Sequence, residues 1–225
     1  MSGKNIWEKI NKIYVIIGFI LVITAVLVAF VPIAPYVWYR INSNATQQDV
    51  EKLATSVAEN KLQLESGLRT QRRERDIQTV SILPDYDPSL PEGYIIEIPT
   101  IGVYSPISTS TDYTEALKHG SWIVSDFGTP ELTELPIIIA SHRFGYNSWT
   151  VDYRNRISFY NLPNTRAGDL INIYWNQRKY TYEIYGVEDS TYISDYGADL
   201  ILYTCKYFNS PVRIFRYAKR VRTAS

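Results

Sequence analysis

Residues 199–205 read Asp-Leu-Ile-Leu-Tyr-Thr-Cys, a short apolar run that ends at the single cysteine of the chain. Its aliphatic and aromatic residues predict a buried strand, and a thiol at the end of such a strand can be held rigidly while it faces a cleft. Residues 206–211 contain turn-forming residues, and residues 212–217, Val-Arg-Ile-Phe-Arg-Tyr, predict a second strand. The two strands are expected to form a hairpin that brings Arg213 beside Cys205.

A second apolar run, Ile-Ile-Ile-Ala-Ser-His at residues 137–142, ends at one of the two histidines of the chain. If both runs are strands of one sheet, His142 and Cys205 can meet at the same end of it. A single cysteine is more often a small buried hydrophobic residue than a nucleophile, but a nearby arginine favours the thiolate. The combination predicts a cysteine–histidine site supported by Arg213. The second histidine, His119, is interpreted as structural.

Further short strands are predicted at residues 94–98 and 170–174, and residues 179–187 alternate between apolar and polar side chains. Few stretches between them have helical spacing. Strands of this length and spacing predict a closed, all-β domain.

Composition narrows the classes of function. The 225 residues carry 23 basic and 23 acidic side chains, and a net charge of zero argues against nucleic acid as the main partner. One cysteine excludes an intramolecular disulfide. Four acidic residues near the cysteine strand have no recognisable ligand spacing, so neither a metal ion nor a cofactor is expected. They are Glu188, Asp189, Asp195 and Asp199.

At three of these places the sequence resembles the sortases, a family of membrane-anchored cysteine transpeptidases. The matching motifs are Leu-Tyr-Thr-Cys at 202–205, Ala-Ser-His-Arg at 140–143, and Arg-Ile-Phe-Arg-Tyr-Ala-Lys at 213–219. They occur in the order and spacing that the family shows. The segment Pro-Thr-Ile-Gly-Val-Tyr-Ser-Pro-Ile at 99–107 matches the opening of the sortase domain. The resemblance covers roughly residues 94–220, and together the motifs are far more specific than any one alone.

The resemblance implies an eight-stranded sortase-type β-barrel with short helices, and it assigns roles to the motif residues. Cys205 is the nucleophile, His142 exchanges protons with the departing and incoming amines, and Arg213 donates hydrogen bonds to the substrate or the oxyanion. Thr204 either helps the oxyanion site, positions the substrate or only packs. Arg216 is the alternative to Arg213. Residues three apart on a strand point to opposite faces, so only one of the two can face Cys205, and the resemblance to the family's strand-opening arginine selects Arg213.

The implied reaction is cleavage of a C-terminal sorting signal of the Leu-Pro-x-Thr-Gly type after the threonine. An amine on a cell-wall precursor or on another surface protein then resolves the thioacyl-enzyme. Residues 188–199 and 103–107 are the predicted lining of the specificity pocket.

The first part of the chain predicts membrane attachment. Residues 1–12 are polar and contain three lysines, and the uncharged residues 13–31 are about 28 Å long as a helix, close to the thickness of the hydrocarbon core. We interpret 13–35 as a single transmembrane anchor, with a cleaved signal peptide as the alternative. The positive-inside rule places the N-terminus in the cytoplasm and the bulk of the chain outside the cell.

The remaining boundaries follow from composition. Residues 44–76 are highly polar and have apolar residues near helical spacing, so we interpret 36–77 as a polar, helical stalk. Residues 78–93 predict a linker or partial lid, because they are rich in proline and aspartate, and 94–225 form the predicted catalytic domain. Asp-Pro-Ser at 87–89 only partly resembles the lid of pilus-assembling sortases, and no C-terminal membrane segment is evident. A sortase of class D, E or F is therefore favoured over the pilus-type class C.

Two other functions fit the same motifs. An extracellular cysteine protease would use water in place of the amine. A sortase-like barrel with an unreactive cysteine would be a binding or scaffold protein.

Overall fold

The computed structural model describes residues 3–30, 83–208 and 210–221. The chain divides into two compact units, Met1–Asn44 and Ala45–Ser225. The first unit contains helix α1 (Gly3–Phe30), which includes the apolar run. Over the described residues, no helix has both the length and the apolarity that crossing a membrane requires. The predicted anchor stays a prediction, and the predicted stalk at 36–77 lies outside the described residues.

The described part of the second unit is a closed barrel of eight strands with few short helices, so the predicted fold class is confirmed. Around the barrel the strand order is β1-β2-β3-β4-β7-β8-β6-β5. The strands are β1 (Ile95–Ile98), β2 (Val103–Ser108), β3 (Ser121–Ile123), β4 (Ile137–Ser141), β5 (Leu170–Trp175), β6 (Arg178–Ser190), β7 (Leu200–Cys205) and β8 (Arg213–Arg220). The helices are α2 (Tyr113–His119) and α3 (Val151–Ile157), and two short 3-10 turns cover Pro99–Ile101 and Leu162–Asn164.

Strand directions explain how the two predicted motif strands become neighbours. Strand β4 pairs with β7 in parallel, and β7 pairs with β8 as an antiparallel hairpin. Strand β6 is long enough to pair with β5 near its start and with β8 near its end, which closes the barrel. Strand β7 therefore lies between the strand that precedes the histidine and the strand that opens with the arginine.

Apolar side chains are buried on both faces of β4 and β7. Ile139 and Leu202 point into the barrel core, whereas Ile138 and Ile201 point outward into a second apolar cluster. The second cluster includes Leu117 of α2 together with Ile193 and Ala198 of the β6–β7 connection. Strands that are buried on both faces read as continuous apolar runs, which is the pattern that these two sequences show.

Both α-helices in the described part of the barrel unit, α2 and α3, begin at a side-chain cap. The Asp112 carboxylate accepts hydrogen bonds from the backbone N–H groups of Thr114 and Glu115, and Thr150 Oγ1 accepts one from the N–H of Tyr153. Such caps satisfy N–H groups that have no partner within the helix. The caps fix where α2 and α3 begin.

The described part of the predicted linker, residues 83–93, packs on the turn between β5 and β6. The N–H of Asp87 donates to the carbonyl of Gln177, the Tyr86 hydroxyl donates to the Gln177 side chain, and Arg178 donates to the Pro84 carbonyl. Strand β6 runs from this turn to Ser190, which pairs with Arg213. The contacts of the segment therefore lie at the end of β6 that is remote from the Cys205 pairing.

Candidate active site

Strand register brings the three motif residues together. Cys205 pairs directly with Arg213 across the β7–β8 hairpin, as the sequence predicted. In the parallel β4–β7 pair, Ala140 lies opposite Tyr203. His142 comes two residues after Ala140, and Cys205 comes two residues after Tyr203. Because alternate residues of a strand share a face, all three side chains belong to the outer face at one end of the barrel.

Thr204 ties β4 to β7 beside this site. Its side chain is 1% exposed, and its Oγ1 donates a hydrogen bond of 2.8 Å to the Ser141 carbonyl. Thr204 therefore points to the opposite face of the strand from Cys205. Of the roles left open by the sequence, packing between the two strands is the one that this contact supports.

His142 is 5% exposed and is enclosed by aromatic rings. Its Nε2 lies 3.2 Å from the Tyr146 hydroxyl, and the two rings meet edge to face with centroids 5.2 Å apart. The ring of Trp149 is a further edge contact at 6.4 Å. Burial lowers the pKa of His142 to about 4, because the charged imidazolium loses its hydration. The imidazole is therefore neutral near pH 7.

Arg213 is buried and shapes the hairpin turn. It is 2% exposed, and its Nη1 donates to the carbonyls of Ser210 and Val212. A guanidinium has five donors and stays protonated, so it can serve the turn and still present N–H groups to a ligand. Cys205 itself is half-buried at the strand end.

Arg216 belongs to a different structure. Its guanidinium is buried on the opposite face of β8, where Nε donates to Thr165 Oγ1 at 2.7 Å and Nη2 donates to the Leu162 carbonyl at 2.9 Å. Burial lowers its pKa. Arg216 stabilises the turn that contains the second 3-10 segment. Its side chain does not point to the face of the barrel that carries Cys205.

His119 lies on α2, outside the strands that carry or directly precede the three motif residues. Its side chain on α2 is 72% exposed and its Nε2 is 3.1 Å from the Glu115 carboxylate. The structural interpretation of this histidine stays a prediction.

Two residues near the site were not assigned a role from the sequence. Arg143 donates from Nη1 to the Lys206 carbonyl and stacks over the Phe144 ring at 5.1 Å. Burial lowers the pKa of Arg143, while charge on nearby groups, Cys205 among them, acts in the opposite direction. The second residue is Tyr146, whose hydroxyl contacts His142 Nε2. Both follow His142 closely in the sequence, which is the signal that could have directed attention to them.

No cluster of metal ligands accompanies the site. Over the described ranges, no three histidine, cysteine or carboxylate side chains converge as a metal ion would need. Glu188 accepts hydrogen bonds from Ser194 and Tyr217, and Asp195 accepts one from Tyr185. These carboxylates bind hydroxyl groups of the β6–β8 surface.

Comparison with known proteins identifies the family. Residues 96–221, more than half of the chain, match the sortase domain family. The chain therefore belongs to the sortases, which are cysteine transpeptidases. No curated protein sequence matches it.

Solved sortase structures of several classes are similar to the chain. Sortase A from Corynebacterium diphtheriae is 20% identical, with 82% of this chain and 97% of that chain covered and a TM-score of 0.47. Sortase C from Streptococcus pneumoniae is 18% identical over 78% and 97%, with a TM-score of 0.47. A sortase D5 transpeptidase from Clostridium perfringens is 15% identical over 75% and 99%, with a TM-score of 0.46. The family assignment rests on the domain match, and the class within the family is left open.

Proposed function

We propose that this sortase cleaves a C-terminal Leu-Pro-x-Thr-Gly-like sorting signal and transfers the protein to an amine on a cell-wall precursor or another surface protein. The observation that carries this proposal is the strand register, which aligns His142, Cys205 and Arg213 on one face. Acyl transfer needs a nucleophile, an acid for the leaving amine and donors for the oxyanion, and these three side chains supply one of each.

The proposed reaction has two halves. The Cys205 thiolate attacks the threonine carbonyl, a C–S bond forms, and the C–N bond to glycine breaks as His142 gives a proton to the departing amine. An incoming amine then attacks the thioester and gives a proton to His142. A new amide bond forms and the Cys205 thiolate leaves. Arg213 donates hydrogen bonds to the carbonyl oxygen in both halves.

Electrostatics limits how the imidazolium arises. With the pKa of His142 lowered to about 4, solvent does not protonate this side chain near pH 7. Its proton must then come from the thiol, which transfers it to the imidazole as the thiolate forms. The reactive pair is therefore a minor ionic form of a resting pair that is mostly neutral.

The proposal includes a cellular location. Residues 13–35 are the membrane anchor, the N-terminus is cytoplasmic, and the barrel faces the outside, where sorting signals and cell-wall amines are found. The lining of the specificity pocket is assigned to residues 188–199 and 103–107, which contribute the β6–β7 connection and strand β2. Charge distribution and the apolar run in the sequence support this location.

The test uses the full chain in detergent micelles with a labelled Leu-Pro-x-Thr-Gly peptide and an added amine. We expect a fragment that ends in threonine, a thioacyl adduct on Cys205 by mass spectrometry, and a product joined to the amine. Cys205→Ala and His142→Ala should each remove the product, whereas His119→Ala should leave it unchanged. Cleavage at the same rate without amine would indicate a protease. An unreactive Cys205 would indicate a binding protein.

A further inference from the structure

The loop between β4 and α3 holds an aromatic side chain against the imidazole of the site. Tyr146 lies four residues after His142, and its hydroxyl is 3.2 Å from Nε2. The edge-to-face packing of the two rings has an interplanar angle of 87°. The contact thus combines a hydrogen bond with a ring packing that fixes the plane of the imidazole.

The loop is built to hold this tyrosine in place. The N–H of Trp149 donates to the Tyr146 carbonyl at 3.0 Å, which closes a turn. The Trp149 ring packs on Tyr146 with centroids 5.2 Å apart and covers Gly145, where a Cβ atom would come within 2.1 Å of the indole. Gly145 also has a φ of +71°, which side chains rarely adopt. The close approach of the indole and the positive φ both require glycine at position 145. With glycine there, the indole can pack against Tyr146.

We propose that Tyr146 is a positioning residue, which accepts a hydrogen bond from His142 Nε2–H and leaves Nδ1 as the nitrogen that exchanges protons with Cys205 and with substrate amines. The amine steps rest on the function proposed above. The role of Tyr146 in orienting the ring does not.

The chemistry of the imidazole gives the direction of this hydrogen bond. The thiol proton needs an unprotonated ring nitrogen, and a neutral imidazole has only one. If Tyr146 donated to Nε2, the ring proton would be on Nδ1 and neither nitrogen would be open to the thiol. If Nε2–H donates to the tyrosine oxygen, Nδ1 has a lone pair. Proton transfer to Nδ1 makes the imidazolium, and the hydrogen bond to Tyr146 is kept throughout.

The surroundings of Tyr146 keep it a neutral phenol. Burial raises its pKa, the charge of Lys118 acts in the opposite direction, and Glu115 acts in the same direction as burial. Both charged groups are on α2, and they also bind each other at 2.7 Å. The Tyr146 oxygen is thus available as an acceptor across the neutral pH range.

Nitrogen-15 NMR of the full chain labelled at histidine tests the tautomer directly. With His119→Gln in every sample, the remaining signals belong to His142. At pH 7 we expect one protonated nitrogen, Nε2, and one unprotonated nitrogen, Nδ1. In Tyr146→Phe, which keeps the ring but removes the acceptor, we expect the two signals to move toward each other as the tautomers mix. If the wild-type His142 ring carries its proton on Nδ1, the proposal is wrong, whatever the variants show.

Kinetics provide the second measurement. Tyr146→Phe should lower kcat of amine transfer by about tenfold to a hundredfold with KM unchanged, a loss of the size seen when a partner that orients a metal-bound histidine is removed. The matched control is Tyr153→Phe, since Tyr153 packs on the same indole at 5.5 Å. An equal loss of kcat in both variants, with no change of tautomer, would show that Tyr146 acts only through packing. The expected tautomer shift without any transfer activity would support the positioning role and refute the proposed function.

Discussion

The two sides of the site are placed by different kinds of structure. Cys205 and Arg213 face each other because two strands pair in a regular hairpin, with partners set residue by residue. His142 follows the end of β4, and the surroundings of its ring come from an irregular loop that contains Tyr146 and Trp149. Strand pairing thus fixes the position of Cys205, the proposed nucleophile, whereas in our proposal a loop fixes which nitrogen of His142 carries the proton. Substitutions in the β7–β8 hairpin, which carries Cys205 and Arg213, should therefore have larger effects than substitutions in the loop after His142.

The nucleophile should have the largest effect. Cys205→Ala removes the only thiol and should reduce transfer at least about 10³-fold, since the acyl-enzyme cannot form. Transfer is measured by mass spectrometry of the amine-joined product. Cys205→Ser, which keeps a smaller hydroxyl nucleophile, serves as a shape-matched control and should also be inactive. Residual activity near that of the wild type would show that the hairpin does not carry the chemistry.

Arg213 and Arg216 lie on opposite faces of β8, so comparing them tests whether catalysis depends on the arginine that shares the face of Cys205. Arg213→Lys should lower kcat by roughly 10²-fold, the loss expected when a transition-state donor is removed, and should also lower the thermal midpoint, because Arg213 is buried and donates to two backbone carbonyls of the hairpin turn. Arg216→Lys should lower the thermal midpoint with little change in kcat, because Arg216 holds Thr165 and Leu162 on the other face. Rates and thermal unfolding are measured on both variants. Equal kinetic losses would contradict the separation of the faces.

The bond between β4 and β7 gives a smaller effect. Thr204→Val keeps the shape of the side chain but leaves the buried Ser141 carbonyl without its hydroxyl partner, which should cost about 1–3 kcal/mol of unfolding free energy. The same change should lower transfer, because it loosens the strands that carry His142 and Cys205. Thr181→Val is the control, since Thr181 donates to Asn172 on β5. That variant should lose stability in denaturant unfolding with no change in kcat.

The pH dependence of the unfolding free energy tests the burial of His142 by the loop that contains Tyr146 and Trp149. The pKa of His142 is about 4 when folded and near ~6.5 when unfolded, so between these values the unfolded chain binds a proton that the folded chain does not. The unfolding free energy should fall as pH drops from about 6.5 to 4, by about 3 kcal/mol from this group. Denaturant midpoints of the wild type and His142→Asn measure it. Parallel pH curves for the two proteins would mean that His142 is exposed to solvent.

The sequence could predict the hairpin side because strand signals are local. The runs that end at Cys205 and His142 are apolar on both faces, so they indicated central strands, and the parity of Arg213 and Arg216 indicated that only one of them faces the thiol. The resemblance to the sortase motif then selected Arg213. The sequence motifs also led to the sortase family, which the domain match confirms. The catalytic roles and the membrane anchor stay predictions.

The loop side could not be predicted in the same way. The role of Tyr146 depends on a turn at Gly145 and on the indole that packs there, and neither follows from periodicity. The contacts of residues 84–90 with the β5–β6 turn are also tertiary, and composition alone left a linker and a lid as alternatives. Local patterns predicted the long apolar or alternating strands but not the short β3, while long-range packing determines which loop covers which side chain.

The most direct measurement is the rate of Cys205 alkylation against pH in the full chain, compared between the wild type, His142→Ala and His119→Ala. A coupled pair predicts alkylation at neutral pH that is faster in the wild type than in His142→Ala, with a pH profile that changes in His142→Ala and is unaltered in His119→Ala. Slow alkylation with the same profile in all three proteins would contradict the claim that strand register assembles a working cysteine–histidine pair.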